Sequence, residues 1–233
     1  RRALHDYHRE ILATPADYGL AIHEFSTGDA PCLMVTAAKS PRAAAKSRDL
    51  RAELRRRGAR IPPWDSSIGT IVMLHGHGGR KEDHLPICER FCAAGFRCLL
   101  LDLPGQGDHP ESVGTFGFRE AHLAEKVLEQ AARRYGFDSS SACLFGISQG
   151  GAIALQAAAH SPEKWRGIVT VAAFSSLDHP VRRAAESTLP TSLRPLSPLA
   201  TFAVSCATKC RAGFWLGDIR PVDAARRLSG VGH

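Results

Sequence analysis

The segment Ala142-Cys143-Leu144-Phe145-Gly146-Ile147-Ser148-Gln149-Gly150 decides how this chain is read. Ala142 to Phe145 is a short apolar run, the pattern of a buried strand, and Ala152 to Ala159 has the spacing of a helix. Ser148 stands at the joint between them, with a glycine two residues away on either side. A sharp turn at such a joint pushes the serine hydroxyl out of the sheet, and the glycines avoid the clash a Cβ would cause. Small residues continue at Gly151, Ala152, Ala154, Ala157 and Ala158, so the helix can lie close against the sheet. Its N-terminus then points at any negative charge that develops beside Ser148, the candidate nucleophile.

A second motif lies upstream, where the buried-strand pattern Thr70 to Leu74 runs into His75-Gly76-His77-Gly78-Gly79. A loop of this kind donates backbone N–H groups. The tetrahedral intermediate of acyl transfer needs two fixed donors for its oxyanion; one is expected from the Gln149 amide and the other from the amide of His77 or Gly78. His75 and His77 also have the spacing of a metal-ligand pair. No later His/Asp set at the ends of successive strands completes a coordination shell, so no metal is expected.

Between the motifs, Arg97 to Leu101 reads as a strand entering the turn Asp102-Leu103-Pro104-Gly105-Gln106-Gly107-Asp108-His109. Strand, loop and helix alternate from there to Ala173, which predicts a mostly parallel sheet with helices on both faces, joined by right-handed crossovers. The His-Gly-x-Gly-Gly loop, the Asp-x-Pro-Gly-x-Gly turn and the Gly-x-Ser-x-Gly elbow together resemble the α/β-hydrolase superfamily, in its order and spacing. Within it the chain is most similar to serine esterases and to the hydrolase domains of acyl-peptide and prolyl-oligopeptidase-type enzymes. The resemblance covers about residues 19 to 230.

The resemblance implies an α/β-hydrolase fold with a cap-like insertion after the sixth strand. It also implies a serine hydrolase that cleaves a carboxylic ester, thioester or peptide bond through an acyl-enzyme on Ser148, without a cofactor. The family's triad runs serine, acid, histidine, the acid usually after the seventh strand and the histidine after the eighth. Neither strand is visible: a Pro-punctuated stretch to Gly217 is followed by the short helical pattern from Asp218, and the sequence stops at His233 where an apolar strand is expected. It begins with Arg1 rather than Met. The expectation is an internal fragment, inactive alone, whose triad acid and histidine lie beyond residue 233.

Within the chain, Asp178 is the one acid candidate, because some family members carry their acid after the sixth strand; a plain turn aspartate before His179-Pro180 is the competing reading. His179 is too close to Asp178 to be oriented by it, and His233 is a chain end. His160 suits the C-terminus of its helix, and Asp102 is a turn residue by family pattern. A non-catalytic hydrolase-fold protein that binds a ligand or partner is the alternative function.

Composition agrees with one large core: 233 residues, 44% hydrophobic and 7% aromatic, predict a single domain over 1–233. The formal charge of +7 is local, since Lys39 to Arg60 carries nine basic residues against two acidic ones and the remainder balances at 21 against 21. This insertion reads as a solvated surface helix capped by Ser40-Pro41 and ending near Gly58, with a thin apolar stripe at Leu50 and Leu54. An anionic partner, a membrane surface or an acidic substrate is the competing reading. The insertion lacks interleaved aromatics, which argues against single-stranded nucleic acid, and the expected partner of the chain is a small-molecule substrate with no nucleic acid. No apolar run is long enough to span a bilayer, and membrane association is not expected.

Of the seven cysteines, Cys88/Cys92 and Cys206/Cys210 are spaced for one helix face, and buried free thiols point to a cytoplasmic protein. A Cys206–Cys210 link requires that segment not to be helical. Leu4, Tyr7, His8 and Ile11 have helical spacing that breaks at Pro15. The cap-like segment 180–216 is expected to govern substrate choice, and its run Leu199 to Val204 is read as covering the core.

Overall fold

The structure, a computed structural model, describes residues 3–38, 45–64 and 66–229. Among these the sheet has six strands in the order β1-β2-β4-β3-β5-β6. They are β1 (Leu20–Thr27), β2 (Ala30–Ala37), β3 (Gly69–Leu74), β4 (Phe96–Leu101), β5 (Ala142–Ile147) and β6 (Trp165–Val171). β1 and β2 form an antiparallel hairpin, and β2 meets β4 antiparallel. β4, β3, β5 and β6 run parallel, so the turns that follow β3 and β5 leave the sheet side by side.

Strand periodicity divides the core in two. Met34, Val72, Leu74, Leu99, Leu101 and Leu144 face one side, where they meet α4 (Leu123–Tyr135) and α5 (Gln149–His160). Their neighbours Leu33, Val35, Ile71, Met73, Leu100 and Phe145 face the other, against Ile11 of α1 (Asp6–Ala13) and Leu85, Cys88 and Cys92 of α3 (Leu85–Ala94). The central strands are apolar on both faces because helices cover both. Among the described residues β6 is one of the two edge strands, and its Val169 and Val171 are exposed.

The basic insertion forms α2 (Ala45–Arg56), a helix exposed along most of its length as expected, but the expected packing stripe at Leu50 and Leu54 needs correcting. Its buried residues are Ser47 and Arg51, whereas Leu50 and Leu54 are only half-buried. The Arg51 guanidinium lies 4.1 Å from the centre of the Trp64 ring and donates to the carbonyl oxygens of Ala93 and Pro62. Lys46 pairs with buried Glu89, which also accepts from the Tyr7 hydroxyl at 2.6 Å, so α1, α2 and α3 are tied together by polar contacts. Ser47 approaches Gly19 so closely that a Cβ there would stand 2.4 Å from the Ser47 Cβ. The expected cap at Ser40-Pro41 lies outside the described residues.

After β6 the cap comprises α6 (Asp178–Thr188), a 3-10 turn (Thr191–Leu196) and α7 (Ser197–Ala212). The expected core role of Leu199 to Val204 is overturned: Leu199 and Phe202 are 65% and 63% exposed, and Ser197 is the buried residue of α7. Cys206 and Cys210 sit on this continuous helix, and all seven cysteines are free. Burial pushes the Cys32 thiol up to about 12. α8 (Pro221–Ser229) follows and packs against α5; His233 lies outside the described residues. No helix among the described residues is long and apolar enough to cross a membrane.

Candidate active site

Close packing explains each glycine of the elbow. A Cβ on Gly146 would stand 2.3 Å from the Gly150 carbonyl oxygen, and one on Gly150 would stand 2.0 Å from that of Leu74, both well inside van der Waals contact. Ser148 itself adopts φ 52° and ψ −112°, a region costing on the order of 1–3 kcal/mol for a residue with a side chain. Its amide donates to the Val171 carbonyl at 2.7 Å, pinning the strained turn to the end of β6. Ser148 is the N-cap of α5, yet its side chain makes no capping bond. Among the described residues none hydrogen-bonds its hydroxyl, so the half-buried Oγ is left unspent at the positive end of a helix.

The glycine loop after β3 lies against this turn: a Cβ on Gly76 would be 3.7 Å from the Ser148 Cβ. The loop is a tight turn closed by the Gly79 amide donating to the Gly76 carbonyl at 3.0 Å, with Gly78 at φ 70°. His75 is buried beneath it and spends both ring nitrogens. Nε2 accepts from the Leu103 amide at 3.1 Å, so the proton sits on Nδ1, 2.9 Å from the Gly76 carbonyl oxygen. Burial lowers its pKa, keeping the ring neutral. His77 is exposed and stacks on Phe116, ring centres 5.6 Å apart.

Two glutamines join the loop to the elbow. The Gly78 amide donates to Gln106 Oε1 at 2.6 Å, Gln106 Nε2 donates to Gln149 Oε1 at 3.1 Å, and His77 Nδ1 lies 3.1 Å from the same oxygen. The Gly78 amide is therefore already engaged, whereas no bond is formed by the backbone amides of His77 or Gln149 among the described residues. Gln106 escapes a reading of the sequence, because a glutamine between two turn glycines looks like any solvated turn residue.

The turn carrying Gln106 is held from below by Asp102, a residue that by sequence pattern alone is an ordinary turn aspartate. Its buried carboxylate accepts from the Lys81 amide at 2.7 Å, from Lys81 Nζ at 2.9 Å and from the Asp108 amide at 2.9 Å. Burial alone would lower the Lys81 pKa, but the hydrogen bonds it donates to Glu82 and Asp102 and their charges hold it well above the ordinary lysine value. Arg80 completes the group on Glu82 at 2.6 Å and Asp108 at 2.8 Å.

The other acid and base candidates lie in different settings. Asp178 opens α6 and accepts from the Ser176 hydroxyl; that bond, outweighing partial burial, draws its carboxyl below the usual range. It is thus a helix-start residue, where the competing reading has a plain turn aspartate. His179 Nδ1 lies 3.2 Å from the Ser175 hydroxyl, and His160 packs edge-on to His122 at 4.0 Å.

The residues with strained backbone gather here. Among the described residues the non-glycine positions with positive φ are Phe116, Ser148 and Ala172. Phe116 connects the loop to the cap: it stacks on His77, meets Phe174 edge-on at 6.5 Å and lines an apolar cavity of about 370 Å³. Leu177 and Val181, Val204 and Arg211 of α7, and Phe214 form further parts of its wall.

Known proteins agree with this architecture. The profile of the alpha/beta hydrolase fold family matches residues 69–193. The pimeloyl-[acyl-carrier protein] methyl ester esterase of Edwardsiella ictaluri is 37% identical over 102 residues, 44% of this chain and 35% of that protein. Its Yersinia enterocolitica counterpart is 38% identical over 101 residues, covering 43% and 35%. The chain thus spans about a third of the length of these curated relatives. Among solved structures, DcsB in complex with its substrate analogue has 21% identity and a TM-score of 0.49, covering 72% of this chain and 51% of its own. A putative lipase of Acinetobacter baumannii has 15% identity and a TM-score of 0.45, covering 76% and 49%. The glycine-flanked elbow, the loop beside it and the matched profile place the chain in the α/β-hydrolase fold family.

Proposed function

We propose that this chain is the nucleophile-bearing part of a serine hydrolase that cleaves carboxylic esters through an acyl-enzyme on Ser148; thioesters and peptide bonds are chemically related candidates. The observation that carries the reading is Ser148 held at φ 52° on the N-terminus of α5, with its hydroxyl uncommitted and the His75–Gly79 loop beside it. The similarity to methyl ester esterases supports an ester as substrate. The Oγ attacks the carbonyl carbon, a histidine beyond residue 233 takes its proton and returns it to the leaving group, and an acid orients that histidine. The backbone N–H groups of His77 and Gln149 hold the oxyanion. Asp178 is the acid candidate inside the chain; an acid beyond residue 233 is the other.

The cavity under α7 suits an aliphatic acyl or alkyl group, since its walls are apolar and Phe116 leads from it to the loop. Labelling the full-length protein with a fluorophosphonate probe tests the reading. Label on Ser148 that disappears in Ser148→Ala supports it. A folded protein with no label sinks it and leaves a binding role for the fold.

A further inference from the structure

Which hydrogens sit where between the loop and the elbow follows from one backbone group. The Gly78 N–H can only donate, so the atom 2.6 Å away must be the carbonyl oxygen of Gln106. That leaves Gln106 Nε2 as the atom facing Gln149, and a donor there requires Gln149 to present its oxygen, 3.1 Å away. The same oxygen faces His77 Nδ1 at 3.1 Å, so His77 must carry its proton on Nδ1. Each assignment forces the next, and neither glutamine can flip without setting donor against donor.

We propose that Gln106 is a positioning residue for the oxyanion hole: its carboxamide fixes the Gly78 peptide and, through the Gln149 side chain, locks His77 as the Nδ1–H tautomer. This inference rests on the serine-hydrolase reading for its effect on rate, but the lock itself is a property of the ground state. The two backbone donors assigned to the oxyanion belong to His77 and Gln149, and the side chains of those same residues are the ones the relay joins. The relay therefore sets the spacing of the two donors before substrate arrives. It also spends the Gly78 amide, which confines the hole to the His77 and Gln149 amides.

Gln149 is buried, and its Nε2 has no partner. Its carboxamide is thus oriented by its oxygen alone, through Gln106 and His77. Removing Gln106 takes away the group that dictates this orientation.

The test uses the full-length protein with Gln106→Leu, Gln149→Leu and the double variant, each checked for native circular dichroism, with Gln106→Ala replacing any variant that fails to fold. Two readouts are taken: imidazole 15N shifts of His77, and kcat, KM and fluorophosphonate labelling rate with p-nitrophenyl butyrate as substrate. The expected wild-type tautomer is Nδ1–H, and Gln106→Leu moves it toward Nε2–H. Expected rates are about tenfold to a hundredfold lower in kcat and in labelling, with KM within about twofold. The double variant is no slower than the slower single one, because the residues act as one unit.

An Nε2–H His77 in the wild type overturns the proposal, as does Gln106→Leu with an unmoved tautomer or with wild-type kcat. A wild type that never labels at Ser148 refutes the hydrolase reading and with it the positioning role, while the 15N shifts still decide whether the relay exists.

Discussion

Lys81 Nζ lies 2.9 Å from the Asp102 carboxylate, with both side chains almost wholly withdrawn from solvent beneath the turn that carries Gln106. Two charges in this setting hold each other, and either one left alone is costly. Lys81→Met is expected to destabilise the fold by about 3–5 kcal/mol, because Asp102 is then buried without its counter-charge, and Asp102→Leu by less, because Lys81 keeps Glu82 at 2.8 Å and Asp108 at 3.2 Å. The Lys81→Met/Asp102→Leu double variant is expected to lose less than the two single losses combined, with a coupling of about 0.5–3 kcal/mol. Urea unfolding midpoints for the four proteins check this.

Gly150 and Gly167 give opposite expectations for the same change. A Cβ on Gly150 would stand 2.0 Å from the Leu74 carbonyl oxygen, a backbone atom held in the centre of the sheet. Gly150→Ala is expected to cost at least about 3 kcal/mol, the upper end of overpacking effects, and to abolish labelling of Ser148. A Cβ on Gly167 meets the Cys143 sulfur at an ordinary 3.6 Å. Gly167→Ala is expected to be neutral or to stabilise by up to about 1 kcal/mol through the unfolded state. Thermal melting of both variants separates the cases.

His84 predicts the pH profile of stability. It is buried against Phe145 with neither ring nitrogen hydrogen-bonded, and burial lowers its pKa to about 4 from an ordinary 6.5. The folded state therefore resists protonation that the unfolded chain accepts. Its contribution is whole above pH 6.5 and is lost as the pH falls toward 4, by roughly 3 kcal/mol at the acid end. His75, lowered by burial as well, adds a slope of the same sign. His84→Leu is expected to flatten the fall in urea midpoint between pH 6.5 and pH 4.5, leaving the His75 part; an unchanged slope refutes the assignment.

The cap cavity predicts chain-length selectivity. Val204 on α7 lines it, so Val204→Phe narrows a space of about 370 Å³. The expected outcome is a loss of kcat/KM for p-nitrophenyl octanoate of about tenfold, with the acetate ester within about twofold, since one or two misplaced methylenes in an apolar pocket are worth about 1–3 kcal/mol. Equal losses on both esters place the acyl group elsewhere.

The parts of the site that glycine dictates were legible in the sequence. Gly146 and Gly150 have backbone atoms where a Cβ would be, and the parallel strands follow from apolar runs ended by turns. Side chains that act through distant partners were not legible. Arg80-Lys81-Glu82-Asp83 looks like a solvated charge run, yet Lys81 is buried because Asp102, 21 residues further on, needs a counter-charge, and Glu82 is buried because Lys81 and Arg80 both pair with it. Arg51 likewise goes inside because Trp64 and two carbonyl oxygens receive its guanidinium. Leu199 and Phe202 misled in the opposite direction: an apolar run suggested core, but α7 buries little beyond Ser197.

The edge strand β6 has a bearing on how this chain behaves in the tube. β6 pairs with β5 along one edge, and its exposed Val169 and Val171 lie beside main-chain groups that face outward among the described residues. An apolar strand with an open edge is a template on which a second molecule can add a strand of its own. The chain handled by itself should thus self-associate as its concentration rises, and a lysine at Val169 should keep it monodisperse for solution work.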